Sequence, residues 1–328
     1  MNRNDNFSLL STHNHHFSEI LSYWTITFKQ IHPRITISGS PQRSIYRIVV
    51  EDEAQQKYIL EQISENNYQR KRIIAQTLSY LSNQGIDKVN PYLSNNQDEF
   101  ITKSEHGFWQ LQLFINGINL DRPSYVFDEW RGKVLAEFLI NLWKKSLKIQ
   151  DKISLPFFSL KKYVVDMFRK MEQFDNEEYQ KLGSVISYLA SDFLVHYEEI
   201  PARFCHGDFH PLNIIWGKNS VNAVIDWEFM GEKIEIYDMA NLLGCLGFEE
   251  PTSLVHDFAL TFIKEIRKSN HISKIGFHYL FDCMMALRFA WLAEWLRTND
   301  KDMIQLEIDF LHLLHENKEI IKEKWADI

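Results

Sequence analysis

Residues 204–241 read FCHGDFHPLNIIWGKNSVNAVIDWEFMGEKIEIYDMAN, an island of short β-like runs and polar residues set between long helical stretches. Two parts of it carry chemistry. His206-Gly207-Asp208 is followed five positions later by Asn213. The apolar run Ala223-Val224-Ile225 then ends in Asp226, with Trp227-Glu228 behind it. Phosphoryl transfer asks little covalent help of a protein. It needs a carboxylate to orient and deprotonate a hydroxyl, and hard oxygen donors for magnesium. One loop bearing an Asp and an Asn, beside a strand that ends in a second Asp, supplies that set. A surface turn or a buried capped aspartate would explain any one of these residues; the ordered set points to phosphoryl transfer. For Asp238, in the run Tyr237–Asn241, a structural role outweighs a catalytic one.

On the upstream side the helical period runs over Phe127–Lys148, Leu160–Glu172 and Glu177–Glu199, and three or so further helices follow Pro251. Before residue 115 the pattern is mixed. A helical stretch at Phe17–Gln30 gives way to strand patterns at Arg34–Ser38, Ser44–Val50 and Tyr58–Ile63. A helix over Asn67–Asn83 stops at Gly85, and strands at Phe100–Thr102 and Gly107–Ile115 close on Asn116-Gly117. The order predicts an α+β, bilobal protein: a small mixed β-sheet N-lobe over 1–115 and a mainly helical C-lobe over 116–328 that holds the catalytic loop and acceptor pocket.

The set HGDxxxxN, then IDWE, then YDMAN resembles the aminoglycoside phosphotransferase and choline kinase superfamily, whose fold is protein-kinase-like. The resemblance covers most of the chain, with only Phe204–Asn241 motif-specific. It implies that Asp208 is the catalytic base, that His206 and Gly207 shape its loop, and that Asn213 and Asp226 bind magnesium. It makes Trp109–Gly117 the last N-lobe strand and hinge, where Leu113 and Ile115 would offer backbone groups to the base of ATP or GTP. Arg288–Arg297, RFAWLAEWLR, is similar to a C-terminal helix of the family. The implied reaction moves the γ-phosphoryl of a magnesium nucleotide to a hydroxyl of a small acceptor: an amino alcohol such as choline, an aminoglycoside, a sugar or an amino acid.

The pattern departs from the family at one point. A Lys or Arg is expected on the third strand, paired with a Glu on the next helix. Here the strand reads KYILEQ, with Glu61 or Gln62 in that place, while the helix carries Arg70, Lys71 and Arg72 and no acid between Asn67 and Ile86. Three readings compete. The pair is inverted, with Glu61 facing a base from the helix; or Lys57, on the same strand face, substitutes; or phosphate contact is weak and the protein is a catalytically degenerate nucleotide sensor. The turn Ser38–Ser44 has a single glycine, Gly39, and would present amides near Ser40 to phosphate.

Composition narrows the partners. Acidic residues outnumber basic ones 44 to 36, a formal charge of −8, which argues against general nucleic-acid binding. Three scattered cysteines without a CxxC pair fit a reducing, cytoplasmic setting rather than a disulfide framework. No run approaches the length of a membrane span, and nothing at the N-terminus reads as a secretory signal. Three further clusters have plainer explanations. His206, Asp208 and His210 alternate as metal ligands do, but no completing ligands stand at zinc-site spacing. The histidines His13, His15 and His16 read as part of a loose tail. Trp227, Trp291 and Trp295 with Glu249, Glu250 and Glu294 suit a cationic head group, yet the spacing of Trp291 and Trp295 is equally that of a buried helix face. The sequence leaves the oligomeric state open.

Overall fold

The structure, a computed structural model, describes residues 15–39 and 44–328. Ser40 and His13 lie outside the described residues. A five-stranded antiparallel sheet is ordered β1-β2-β3-β5-β4, with β1 Phe28–Ile31, β2 Ser44–Asp52, β3 Lys57–Ile63, β4 Thr102–Ser104 and β5 Gly107–Leu113. Period-2 alternation decides its two faces. Ile48, Val50, Tyr58, Leu60, Trp109 and Leu111 point to one side, where helix α1 over residues 15–22 covers them with Phe17, Ile20 and Leu21. Arg47 on β2 stands opposite Glu61 on β3, and Glu61 opposite Gln110 on β5. These three belong to the other face, toward helix α2 (Tyr68–Asn83). That is why a strand otherwise rich in apolar residues carries a glutamate with 5% exposure.

Two expected elements moved. Arg34–Ser38 is irregular; the first strand is Phe28–Ile31, inside the stretch read as the end of a helix. α1 ends early because the chain turns at 23–25, with Thr25 at positive φ, and Trp24 packs on the sheet. His16 is no part of a loose tail: its ring lies edge-on to His106 and Trp109, at 4.3 and 5.7 Å.

The rest of the chain is helical: α3 Glu129–Lys145, α4 Leu160–Phe174, α5 Asn176–Lys181, α6 Gly183–Ser191 and α7 Phe193–His196, then α8 Tyr237–Glu249, α9 Asp257–Ser269, α10 Lys274–His278, α11 Leu280–Thr298, α12 Lys301–Glu316 and α13 Lys318–Ala326. The single helix expected over Glu177–Glu199 is three short ones, broken at Leu182 and Asp192. α11 is buried over most of its length and packs against α4, α8 and α12. Its Arg288 makes a bidentate pair with Glu307 of α12, both contacts 2.6 Å, with Phe248 stacked on the guanidinium. A buried charge is tolerated when its partner matches it in this way.

Between α7 and α8 the island folds as two small antiparallel pairs. β6 (Ala202–Cys205) pairs with β9 (Gly231–Ile234), and β7 (Ile214–Trp216) with β8 (Val221–Val224). No helix among the described residues is long and apolar enough to cross a membrane.

Candidate active site

Ile225 is the point on which the site converges. Its amide donates to the Asn213 carbonyl (2.9 Å), a continuation of the β7–β8 ladder, so Asn213 and Asp226 stand at neighbouring ends of one hairpin. Its carbonyl accepts from His206 Nε2 (3.0 Å). Both ends of the 206–213 loop are thereby tied to the residue that precedes Asp226.

His206 is fully buried, and burial pushes its imidazole down to about 4, so the ring is neutral. With Nε2 donating, Nδ1 is the acceptor for the Asp208 amide (3.2 Å). Both ring nitrogens are committed, Nε2 to the Ile225 carbonyl and Nδ1 to the Asp208 amide, so neither is left to ligate a metal. Among the described residues no cluster of three His, Cys, Asp or Glu is arranged to hold a metal. Asp238 of α8 braces the same loop: its Oδ2 accepts from the His206 amide (2.7 Å) and its Oδ1 from the Gly207 amide (2.8 Å). Burial pushes the Asp238 carboxyl up to about 6, against the pull of those two amides. Gly207 sits at φ +86, and a Cβ there would lie 2.0 Å from the Phe229 carbonyl oxygen, so only glycine fits the turn before Asp208.

This brace gives a first expected outcome. Asp238→Asn keeps the shape but offers one acceptor where two amides donate, and sets an NH2 against the second. It should cost about 1–3 kcal/mol in urea unfolding. An unchanged midpoint would remove Asp238 from its bracing role.

Asp208 itself is mostly buried. Burial pushes its carboxyl up, but hydrogen bonds from His210 and Asn213 hold it below the ordinary aspartate value. Asn213 Nδ2 donates to the Asp208 carbonyl (2.9 Å) and to its Oδ2 (3.0 Å). That fixes the amide's orientation and turns its oxygen, the end a hard cation binds, away from Asp208. Asn241 of α8 approaches Oδ1 at 3.5 Å and donates to the Phe209 carbonyl at 3.3 Å. Asp226 is in the left-handed region, φ 63 and ψ 58. A Cβ placed on Gly39 would be 3.6 Å from its Oδ2, so Gly39 lies against the Asp226 carboxylate.

The cleft beside Asp226 is lined by both lobes. Gly39, Arg47, Glu61, Lys71, Gln112, Ile115, Ile214 and Ile225 are among its walls, with the hinge 114–119 at one edge. Ile115 lines this cleft. Leu113 is on the opposite strand face from Gln112, half-exposed, and its carbonyl accepts from Asn90 (3.1 Å). It does not line this cleft. Nor does Lys57, which is two pleats from Glu61 and 3.7 Å from Glu51; it does not fill the place of the missing third-strand base.

Lys71 does reach that place. Its Nζ is 2.7 Å from Glu61 Oε1 and 2.6 Å from Glu228 Oε1, and it is buried. Tyr92 (3.1 Å) and Ser44 donate to the Glu61 carboxylate as well. Burial lowers the Lys71 ammonium, but the two carboxylates outweigh this and keep it charged. Arg70, one position earlier, donates to the Glu228 and Met230 carbonyls, the latter at 3.0 Å. Sequence reading missed Glu228 and Arg47 as parts of this group. The register of β2 with β3 was the available signal for Arg47, and the two-residue step from Asp226 for Glu228.

The aromatic cluster divides. Trp227 is core, with Nε1 bonded to the Val224 carbonyl and its ring against Phe204 and His206. Trp291 and Trp295 stack on each other at 6.2 Å, half-buried, and Trp291 meets His210 edge-on at 6.4 Å. The acids are otherwise engaged: Glu249 with Arg122, Glu294 with Arg297, and Glu250 with Thr252. A cationic pocket, the alternative to the plainer packing explanation, is not assembled from these six.

Fold and site together define a bilobal, protein-kinase-like phosphotransferase architecture. An aminoglycoside phosphotransferase from Alicyclobacillus acidocaldarius has the same fold, with a TM-score of 0.63 at 15% identity over 94% of this chain and 93% of that one. So do the GDP complex of aminoglycoside 2'-phosphotransferase-IIIa (0.65, 17%, 95% and 98%) and an amicoumacin kinase bound to AMP-PNP and Ca2+ (0.65, 14%, 94% and 92%). No curated protein sequence matches. Residues 42–267 match the model of the phosphotransferase enzyme family, and the chain belongs to that family.

Proposed function

We propose that this protein is a small-molecule kinase that transfers the γ-phosphoryl of a magnesium nucleotide, ATP or GTP, to a hydroxyl of a small polar acceptor. One observation carries the reading: Asp226 lines the interlobe cleft, the Ile225 amide bonds the Asn213 carbonyl beside it, and Asn213 in turn donates to the Asp208 carboxylate. Residues 1–115 would form the nucleotide lobe and 116–328 the lobe that receives the acceptor.

Each residue has a task. The nucleotide base lies against the hinge near Ile115, and its phosphates run toward Asp226. Asn213 and Asp226 present an amide oxygen and a carboxylate, the hard donors magnesium takes, and phosphate oxygens and water complete such a site. When bound, magnesium offsets the charge that develops on the transferring group. Asp208, ionised at neutral pH and held by Asn213, orients the acceptor hydroxyl and accepts its proton as the phosphoryl transfers in line. The acceptor enters beside His210, where the Trp291–Trp295 stack forms one wall. The degenerate-sensor reading rested on a missing cation, and Lys71 supplies one to the cleft.

The test is release of nucleoside diphosphate by the purified protein across a panel of amino alcohols, sugars, amino acids and aminoglycosides, with and without magnesium. Magnesium-dependent turnover stimulated by one class is expected. Nucleotide binding without turnover on any acceptor would return the sensor reading.

A further inference from the structure

Protein-kinase-like enzymes set a lysine on the third strand and orient it with a glutamate from the next helix. Here both positions are occupied by the opposite charge, and the pair still forms. We propose that Lys71, on α2, is the residue that grips the nucleotide phosphates, with Glu61 on β3 as its orienting anion. This rests on the kinase reading above and names the residue through which that site holds its nucleotide.

The argument is one of donors and direction. A lysine ammonium has three N–H donors. Two are taken at Lys71, by Glu61 at 2.7 Å and Glu228 at 2.6 Å. The third remains for the cleft that Lys71 lines. The carboxylates on either side set that direction. Glu61 is held in turn by Tyr92 and Ser44, so the anion is fixed before the cation. Glu228 is two residues beyond Asp226, which ties the cation to the segment that carries the candidate magnesium ligand. The same geometry explains why the charges are exchanged. With Glu228 at this end of the cleft, a glutamate at position 71 would put two carboxylates together in a buried site, a cost a third-strand lysine would have to offset. A lysine at 71 meets both acids at once. Arg47, opposite Glu61 in the sheet, lines the cleft too, but its guanidinium donates to the Ser38 and Gly39 carbonyls and so holds Gly39 against Asp226.

Comparing ATP with adenosine separates phosphate grip from base recognition. Their affinities in the presence of magnesium are read by calorimetry on wild type, Lys71→Gln and the double variant Lys71→Gln/Glu61→Gln. The double variant removes Glu61, the more buried of the two anions that the single one would leave without their cation, and so lessens the folding cost of losing Lys71. Wild type is expected to prefer ATP. Loss of a charge-assisted contact should weaken ATP by at least about tenfold and leave adenosine within about twofold. If wild type prefers ATP and the Lys71 variants keep that preference, the assignment to Lys71 is overturned and the kinase reading stands. If the preference is lost in Arg47→Gln instead, the phosphates belong to Arg47. If wild type binds neither ligand, or binds both equally, the grip does not exist; the first of these outcomes takes the kinase reading with it.

Discussion

Asp208→Asn is expected to lower turnover by roughly 10²–10⁴-fold, the range for loss of a positioned general base, and to leave nucleotide affinity within about twofold. The substitution is nearly isosteric. The amide oxygen can still accept from Asn213 Nδ2, now at 3.0 Å from the carboxylate, and the backbone carbonyl keeps its own bond to Asn213. His206, Gly207 and Asp238 hold the loop independently of the Asp208 side chain. What disappears is the negative charge that attracts and takes the hydroxyl proton. The measurement is kcat under saturating nucleotide and acceptor, with a thermal melt beside it. Activity within about fivefold of wild type, in a protein that melts normally, would mean the hydroxyl proton leaves by another route.

Asp226→Ala should act at an earlier step. With the carboxylate gone, only the Asn213 oxygen remains of the two proposed magnesium donors, so the magnesium-dependent part of nucleotide affinity should vanish and transfer should fall by about 10³-fold or more. The fold should survive. Asp226 lies two residues beyond β8 at the cleft, where its side chain adds little to the core, and the left-handed backbone there costs alanine roughly 1–2 kcal/mol more than aspartate at most. The comparison is a thermal-shift titration of nucleotide with and without magnesium on both proteins, since binding to the folded state raises the midpoint by mass action. A magnesium-dependent rise that persists in Asp226→Ala would take the metal away from this residue. The two variants thus separate: one binds and does not turn over, the other loses metal-dependent binding.

The amino-acid sequence by itself determined the local order of the molecule. Strand alternation in Ser44–Val50 and Tyr58–Ile63, the helical period after residue 127, and the interval from Asp208 to Asn213 are set by residues near one another in the chain. Such patterns survive without knowledge of the packing. The sequence also exposed the exchanged charges at Glu61 and the Arg70–Arg72 cluster, but could not choose among the three bases. Neighbouring helix residues point about 100° apart, so the rotation of α2 against the sheet decides which one faces Glu61. Packing turns Lys71 to Glu61 and Glu228, sends Arg70 to the Glu228 and Met230 carbonyls, and leaves Arg72 in solvent. The first strand was misread for a similar reason. Phe28–Ile31 is short, and it is a strand because β2 pairs with it, whereas Arg34–Ser38 alternates well but has no partner. The gathering of His206, Asn213 and Asp226 on Ile225 likewise depends on a hairpin closing and a loop being braced by Asp238. Those contacts join positions up to 32 residues apart, and tertiary structure alone brings them together, because side-chain contact at such separations is fixed by how elements dock and not by the period within any one of them.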